Sequence, residues 1–416
     1  MKRRVMSLVL MITLLSGFVA GLSVTVSATA VPDNANISRA AASEGIVLLE
    51  NKGILPLGSA ARVAVFGHSR HMNGSSYPAD GFGKDGFITY GGGSGEVTAP
   101  YVVDLLTGLT RRKNEGRLQS VTDGGVNPSA AAVEAAAQAH DAAIVVIRRW
   151  TAEASDLSAG AGGYLLSADE ITTMQRVNDA FDHVIVIMNV GNAIDMTWVE
   201  NYAHIGAVLV TWYPGMEGGN ALADVLCGVV NPSGKLADTF ARGIGDYPSS
   251  ATFAQSNPQY TDDIYVGYRY FATADPNYEK VKYEFGYGLS YSTFDITDKA
   301  VAADGDELVA TAKVTNNGPY PGKEVVQVYY SAPVGALNRP AFELAAFAKT
   351  SLLGVGESET VAMRFPIDSM AAYDDVGKTG AISAYVMEAG DYNIYMGNSI
   401  RNATKSAAAG KYTQTG

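Results

Sequence analysis

The chain has 416 residues, 47% hydrophobic and 17% charged, a globular composition with room for two or three domains. Its formal net charge is −12, and setting aside Lys2, Arg3 and Arg4 makes the remainder more acidic still, a balance that repels nucleic acid and suits a neutral or cationic ligand. A single cysteine, Cys227, excludes an intrachain disulfide and reads as a buried core residue on a helix.

Residues 1–30 carry the basic start, an apolar run from Val5 to Val26 and the small-residue site Ala28-Thr-Ala30. That order describes a secretory signal peptide cleaved after Ala30. The rival reading is a membrane anchor, because the run approaches the ~20 residues of a span; Ser16, Gly17, Gly21 and Ser23 weigh against it. The expected location is therefore secreted or extracytoplasmic, with membrane contact only through this segment.

From Asn36 to Phe240 helical and strand patterns alternate. Ile37 to Leu49 reads as a helix with Asn36 as its N-cap. Arg62 to Phe66 is a short buried strand closed by Gly67. Tyr101 to Arg112 is amphipathic and Ser129 to His140 is an alanine-rich helix. Ala142 to Ile147 is a nearly continuous apolar strand. Ser167-Ala-Asp-Glu170 is a capping box that opens a helix to Phe181. His183 to Val190 and Ala207 to Thr211 are further buried strands. Apolar strands alternating with helices predict an α/β fold, a doubly wound and mostly parallel sheet over residues 36–240.

Residues 241–295 are rich in tyrosine and phenylalanine, from Tyr260 to Phe294, and read as an aromatic connector, since disordered linkers are aromatic-poor. From Ile296 to Asn398 the period becomes two: Leu308, Ala310 and Ala312 share one face, Val326, Val328 and Tyr330 another. With turn signals at Asn316-Asn-Gly318 and Glu388-Ala-Gly390, this predicts a β-sandwich. Residues 399–416 read as a loose tail.

In open α/β sheets ligands gather at the carboxyl ends of the strands. The strand 142–147 leads into a loop holding Arg149, Glu153 and Asp156, which composition alone would make a solvated surface loop. Tyr90-Gly-Gly-Gly-Ser-Gly95 lacks both the G-x-G-x-x-G after a strand and the Lys-Ser/Thr of a phosphate loop, so a nucleotide site is a weak reading. Trp198 and Trp212 read as core rather than sugar platforms, Asp195 as scaffold, and the five histidines show no metal-ligand spacing.

Several ordered strings carry a resemblance: Trp212-Tyr-Pro-Gly-Met-Glu-Gly-Gly219, Asn231-Pro-Ser-Gly-Lys-Leu236, Tyr265-Val-Gly-Tyr-Arg-Tyr-Phe271, Phe285-Gly-Tyr-Gly-Leu-Ser-Tyr291 and Val325-Val-Gln-Val-Tyr-Tyr330. Together they resemble the C-terminal α/β domain and fibronectin type III-like domain of glycoside hydrolase family 3, the retaining β-glucosidases and their relatives. The run Arg149, Glu153, Asp156, Tyr164-Leu-Leu-Ser167 is similar to the family's acid/base segment, although Ala152 and Ala154 stand where the family usually has glycine and Leu157 where a basic or polar residue often follows the Asp.

The resemblance implies that Glu153 is the general acid/base, its pKa raised by partial burial. It places Arg149, Asp156, Gly93 and Ser94 at the carbohydrate-binding edge, and it implies a carbohydrate substrate and no cofactor. It also implies a (β/α)8 barrel that supplies the nucleophilic Asp. A barrel needs about 250 residues, and the family subset with inverted order puts it after the β-sandwich. The chain is expected to be a truncated or split form, completed by a separate barrel domain. Asp80, Asp85 and Asp156 are poor substitutes for the missing nucleophile. The alternative is a non-catalytic secreted module that binds carbohydrate or cell wall.

Overall fold

A computed structural model of the protein describes residues 30–70, 86–94, 97, 99–252, 257, 259 and 261–415. The leader up to residue 29, Asp80, Asp85, Gly95 and Tyr260 lie outside the described residues.

The first large element is a six-stranded sheet in the order β1-β6-β5-β4-β2-β3. Its strands are β1 (Val47–Asn51), β2 (Arg62–Gly67), β3 (Ser120–Gly125), β4 (Ala142–Arg149), β5 (Val184–Val190) and β6 (Ile205–Val210). All neighbours run parallel except β1, which pairs antiparallel with β6 at the edge. The interior strands are apolar on both sides because helices cover both faces. Val145 and Ile147 of β4 face one core with Met174 and Val177, whereas Ile144 and Val146 face the other with Leu105, Leu109, Leu222 and Val225. Period-two alternation thus splits one strand between two cores.

The helices are α1 (Ala30–Gly45), α2 (Leu105–Asn114), α3 (Ala130–Ala139), α4 (Ala168–Ala180) and α5 (Gly218–Leu226). Asp104 caps α2, Ser129 caps α3, and Ser167 with Glu170 forms the expected capping box on α4. Cys227 is buried beside α5, in the core beneath that helix.

Two expectations are corrected, and one strand is added. The helix expected over 37–49 ends at Gly45, and Val47–Asn51 is a strand; its apolar run suits either state, and pairing with β6 decides it. The strand β3 had no apolar signature, because it lies at the edge of the sheet and none of its residues is buried. The tail is ordered: a short helix Ile400–Thr404 precedes a strand, Gly410–Gln414, which pairs antiparallel with Gly390–Gly397. Its polar composition is that of a covered sheet edge rather than of a free end.

The sandwich is built from a three-stranded and a four-stranded antiparallel sheet. Leu308, Ala310, Ala312 and Val314 of one sheet meet Val326, Val328, Tyr392 and Ile394 of the other in a single core. Asn316, fully buried, closes the expected Asn-Asn-Gly turn by donating to the carbonyls of Tyr320 and Leu353. The connector holds an aromatic chain rather than a linker: Tyr268 stacks on Phe285 at 4.5 Å, and Tyr247 meets Phe271 edge-on.

Candidate active site

The strand order has one topological switch point. From β2 the chain crosses outward to β3 and then back to β4, so the loops leaving β2 and β4 diverge and open a crevice at their carboxyl ends. The loop after β2 carries the glycine segment, and the loop after β4 carries Glu153. Sheet topology therefore brings together two segments about 60 residues apart.

Their contact is specific. Gly92 N–H donates to the Thr151 carbonyl at 3.0 Å, and Gly92 bridges Ala152 in parallel register. Ser94 Oγ then donates to Glu153 Oε2 at 2.8 Å. Gly93 has φ +90°, and a Cβ there would stand 2.8–2.9 Å from Cβ, Cγ and Cδ of Glu153. Only glycine admits both that backbone and that approach. The root of the glycine segment is pinned by Asn189, fully buried at the end of β5, which exchanges hydrogen bonds with Ile88 N–H and carbonyl and also donates to the Trp212 carbonyl.

Glu153 is exposed, contrary to the expected partial burial. The Ser94 backbone N–H, and after it the Ser94 hydroxyl, hold its carboxyl below the ordinary glutamate value. The reason is elementary: hydrogen bonds to the charged form favour it, and no burial of comparable size opposes them. Here Glu153 is poised as a carboxylate, a proton acceptor. Donating a proton near neutral pH requires that burial be added by another surface.

Arg149 has a different place from the one expected. It is buried, and its five N–H donors are all engaged: Nε with the Gly163 carbonyl (2.6 Å), Nη1 with the Arg148 carbonyl and Glu170 Oε1 (both 2.6 Å), Nη2 with the Leu165 carbonyl (3.0 Å) and Glu170 Oε2 (2.9 Å). Glu170 Oε2 also accepts from Ser167 N–H as half of the capping box. Arg149 thus ties the loop 158–165 to the start of α4, and no donor is left over for a ligand.

Asp156 is exposed and lines a cleft of about 410 Å³ with Tyr164, Asn192, Asp238 and Tyr247. Desolvation by the surrounding protein raises the Asp238 pKa, opposed in part by a hydrogen bond from Thr239 N–H, and the residue lines the cleft. Trp198 is buried with Nε1 donating to the Asp195 carbonyl, and Asp195 Oδ1 accepts from Thr197; both are scaffold. Trp212 is half-buried against Phe240.

Residues 46–291 match the family profile described as Glycosyl hydrolase family 3 C-terminal domain, and residues 324–400 match the Fibronectin type III-like domain. The chain belongs to glycosyl hydrolase family 3. Beta-glucosidase A of Butyrivibrio fibrisolvens is 38% identical over 435 residues, a match that covers 90% of this chain and 50% of that protein. The structure of a beta-glucosidase from Paenibacillus barengoltzii superposes with TM-score 0.79 at 39% identity, covering 91% of this chain and 44% of that one. Beta-glucosidase 3B from Thermotoga neapolitana, solved in complex with α-D-glucose, gives TM-score 0.77 at 32% identity, covering 92% and 54%. The chain spans about half the length of these relatives.

Tyr213 and Asn189 are the site-building residues that sequence reasoning passed over. Tyr213 sits within the Trp212–Gly219 string that carries the family resemblance and Asn189 near the end of the apolar strand β5, and their side-chain partners are remote in sequence.

Proposed function

We propose that this chain provides the acid/base half of a β-glucosidase-type glycoside hydrolase that works with retention. Glu153 is the proton-transfer residue, Asp156, Gly93 and Ser94 form the carbohydrate-facing edge, and Arg149 braces the loop behind them. The nucleophilic carboxylate comes from a barrel domain, on a longer form of this polypeptide or on a separate chain. The observation that carries the reading is the Ser94–Glu153 hydrogen bond across the switch-point crevice.

The chemistry then runs in two steps. A carboxylate of the barrel attacks the anomeric carbon as Glu153 passes a proton to the departing glycosidic oxygen. Glu153, now ionised, takes a proton from water as that water displaces the enzyme ester. Two carboxyls serving these roles stand about 5–5.5 Å apart, so the barrel must cover Glu153 closely. Such covering also raises the carboxyl pKa by desolvation, which makes it a donor.

The test is turnover of aryl β-glucoside and of a disaccharide by the chain, with and without a barrel domain added. The chain alone is expected to be inactive. In the completed enzyme Glu153→Ala should cost ~10²–10⁴-fold on the disaccharide and less on the activated aryl glycoside. Steady hydrolysis by the isolated chain, abolished by Glu153→Gln, would overturn the reading of a shared site.

A second reading, a secreted module that binds carbohydrate without chemistry, is favoured by the exposure and low pKa of Glu153. It predicts sugar binding that Glu153→Gln leaves unchanged and no gain of turnover with any barrel. Export through a cleaved leader belongs to either reading.

A further inference from the structure

Tyr213 follows β6 and precedes the proline of the Trp-Tyr-Pro-Gly turn. The preceding residue, Trp212, has φ +53°, a left-handed bend that redirects the chain immediately before Tyr213. The phenol lands on the first residues of the acid loop. Its hydroxyl donates to the Arg149 carbonyl at 2.7 Å and accepts from Thr151 N–H at 2.8 Å, with Thr151 Oγ1 at 2.9 Å. The ring meanwhile presses on two glycines. A Cβ on Gly191 would come within 2.6 Å of it, and a Cβ on Gly91 within 3.2 Å. One side chain therefore touches the loop after β4, the turn after β5 and the glycine segment that leads to Ser94.

The hydroxyl satisfies a backbone donor that the sheet cannot. β4 ends at Arg149, the last residue paired with β5, so Thr151 N–H lies beyond the ladder just where the loop turns toward Glu153. The tyrosine is half-buried, and burial raises its pKa, so it stays a neutral phenol able to donate and accept at once. The next contacts outward are those of Thr151 and Ala152 with Gly92, and then of Ser94 with Glu153.

We propose that Tyr213 is a positioning residue for Glu153: it holds residues 149–151 against Gly91 and Gly92 so that Ser94 reaches the Glu153 carboxylate. It acts through the two loops and touches neither substrate nor the reacting atoms. The proposal rests on the reading of Glu153 as the proton-transfer residue for its functional meaning, though not for its geometry.

The experiment is a titration of the Glu153 side-chain carboxyl by carbon NMR in the full chain, labelled at glutamate carboxyls and assigned with Glu153→Gln. In the wild type the midpoint should lie below the ordinary value of about 4.3. Ser94→Ala removes the hydroxyl and keeps the backbone N–H, so it should raise the midpoint part of the way to that value. Tyr213→Phe keeps the ring and removes the three polar contacts, and the midpoint should rise by as much as in Ser94→Ala. Amide exchange in β4, β5 and β6 serves as the control for the fold and should match the wild type. If Tyr213→Phe disturbs that control, Thr151→Val removes one of the three contacts with the tyrosine in place and should give a smaller rise of the same sign. A midpoint that moves in Ser94→Ala but stays fixed in Tyr213→Phe with the fold intact, or in Thr151→Val, overturns the proposal. Survival of full turnover in a completed enzyme bearing Glu153→Gln would remove the catalytic reading and leave this titration result standing.

Discussion

Arg149 offers the sharpest test of structural against ligand-binding roles. Truncation to alanine removes two charge-assisted hydrogen bonds to Glu170, at 2.6 and 2.9 Å, two to the loop carbonyls of Gly163 and Leu165, and one to the Arg148 carbonyl in β4. The arginine side chain is only 4% exposed and that of Glu170 17%. Breaking a buried pair by removing one partner costs about 3–5 kcal/mol, because the other charge is left uncompensated. Glu170 keeps one partner, Ser167 N–H, and the loop carbonyls can turn to water, so the lower end, about 3 kcal/mol, is the expectation for Arg149→Ala. The assay is urea unfolding followed by tryptophan fluorescence, which reports the α/β part alone because Trp150, Trp198 and Trp212 all lie there. A double-mutant cycle with Glu170→Gln should show coupling of at least about 1 kcal/mol, since the two residues share one network. A destabilisation within about 0.5 kcal/mol, the usual effect of an exposed substitution, would refute the argument, and weakened sugar binding alongside it would restore Arg149 as a ligand.

The remaining predictions concern backbone, charge and processing. Ala154 sits at φ +55°, which costs a non-glycine residue about 1–2 kcal/mol, so Ala154→Gly should stabilise the chain by up to about 1 kcal/mol after its entropy cost; a loss in the same urea assay would contradict this. Gly93→Ala puts a methyl group against the Glu153 side chain, so the Ser94–Glu153 bond should break and the Glu153 titration midpoint should rise; an unmoved midpoint would show that the segment adapts. The Asp374 carboxyl is held down to about 2, first by Thr379 N–H and then by the Thr379 hydroxyl and the N–H groups of Lys378 and Gly377. A depressed carboxylate contributes stability that is full above its unfolded pKa of about 3.9 and is lost as pH falls through the folded value. Asp374→Asn should therefore flatten the acid limb of the sandwich's stability between those two pH values, and an unchanged slope would exclude the effect. Mass spectrometry of the exported protein should find Val31 at the N-terminus, whereas an intact chain in the membrane fraction would identify an anchor.

The amino-acid sequence by itself determined those parts of the protein whose cause is local. The capping box at Ser167 and Glu170 is readable because both partners lie within one turn of helix. The apolar runs of β4 and β5 announce burial on both faces, and the alternation of Leu308, Ala310 and Ala312 announces a strand with one buried face. Ordered strings such as Trp212–Gly219 and Phe285–Tyr291 carried the family resemblance, and the order Arg149, Glu153, Asp156 marked its acid/base segment.

Tertiary structure decided whatever depends on partners far along the chain. Val47–Asn51 is a strand only because β6, about 160 residues later, lies beside it. The tail is a strand because it covers an edge of the sandwich. The environment of Glu153 was illegible for the same reason. Its neighbours Gly93 and Ser94 arrive through the switch point of the sheet, Tyr213 arrives from the end of another strand, and the burial expected around its carboxyl is absent among the described residues. A residue's type and spacing announce what chemistry it can perform. Its protonation and its free donors depend on solvent exclusion and on hydrogen bonds closed across the fold, as Arg149 demonstrates: the residue nearest in sequence to a ligand-binding role has spent every donor on the scaffold.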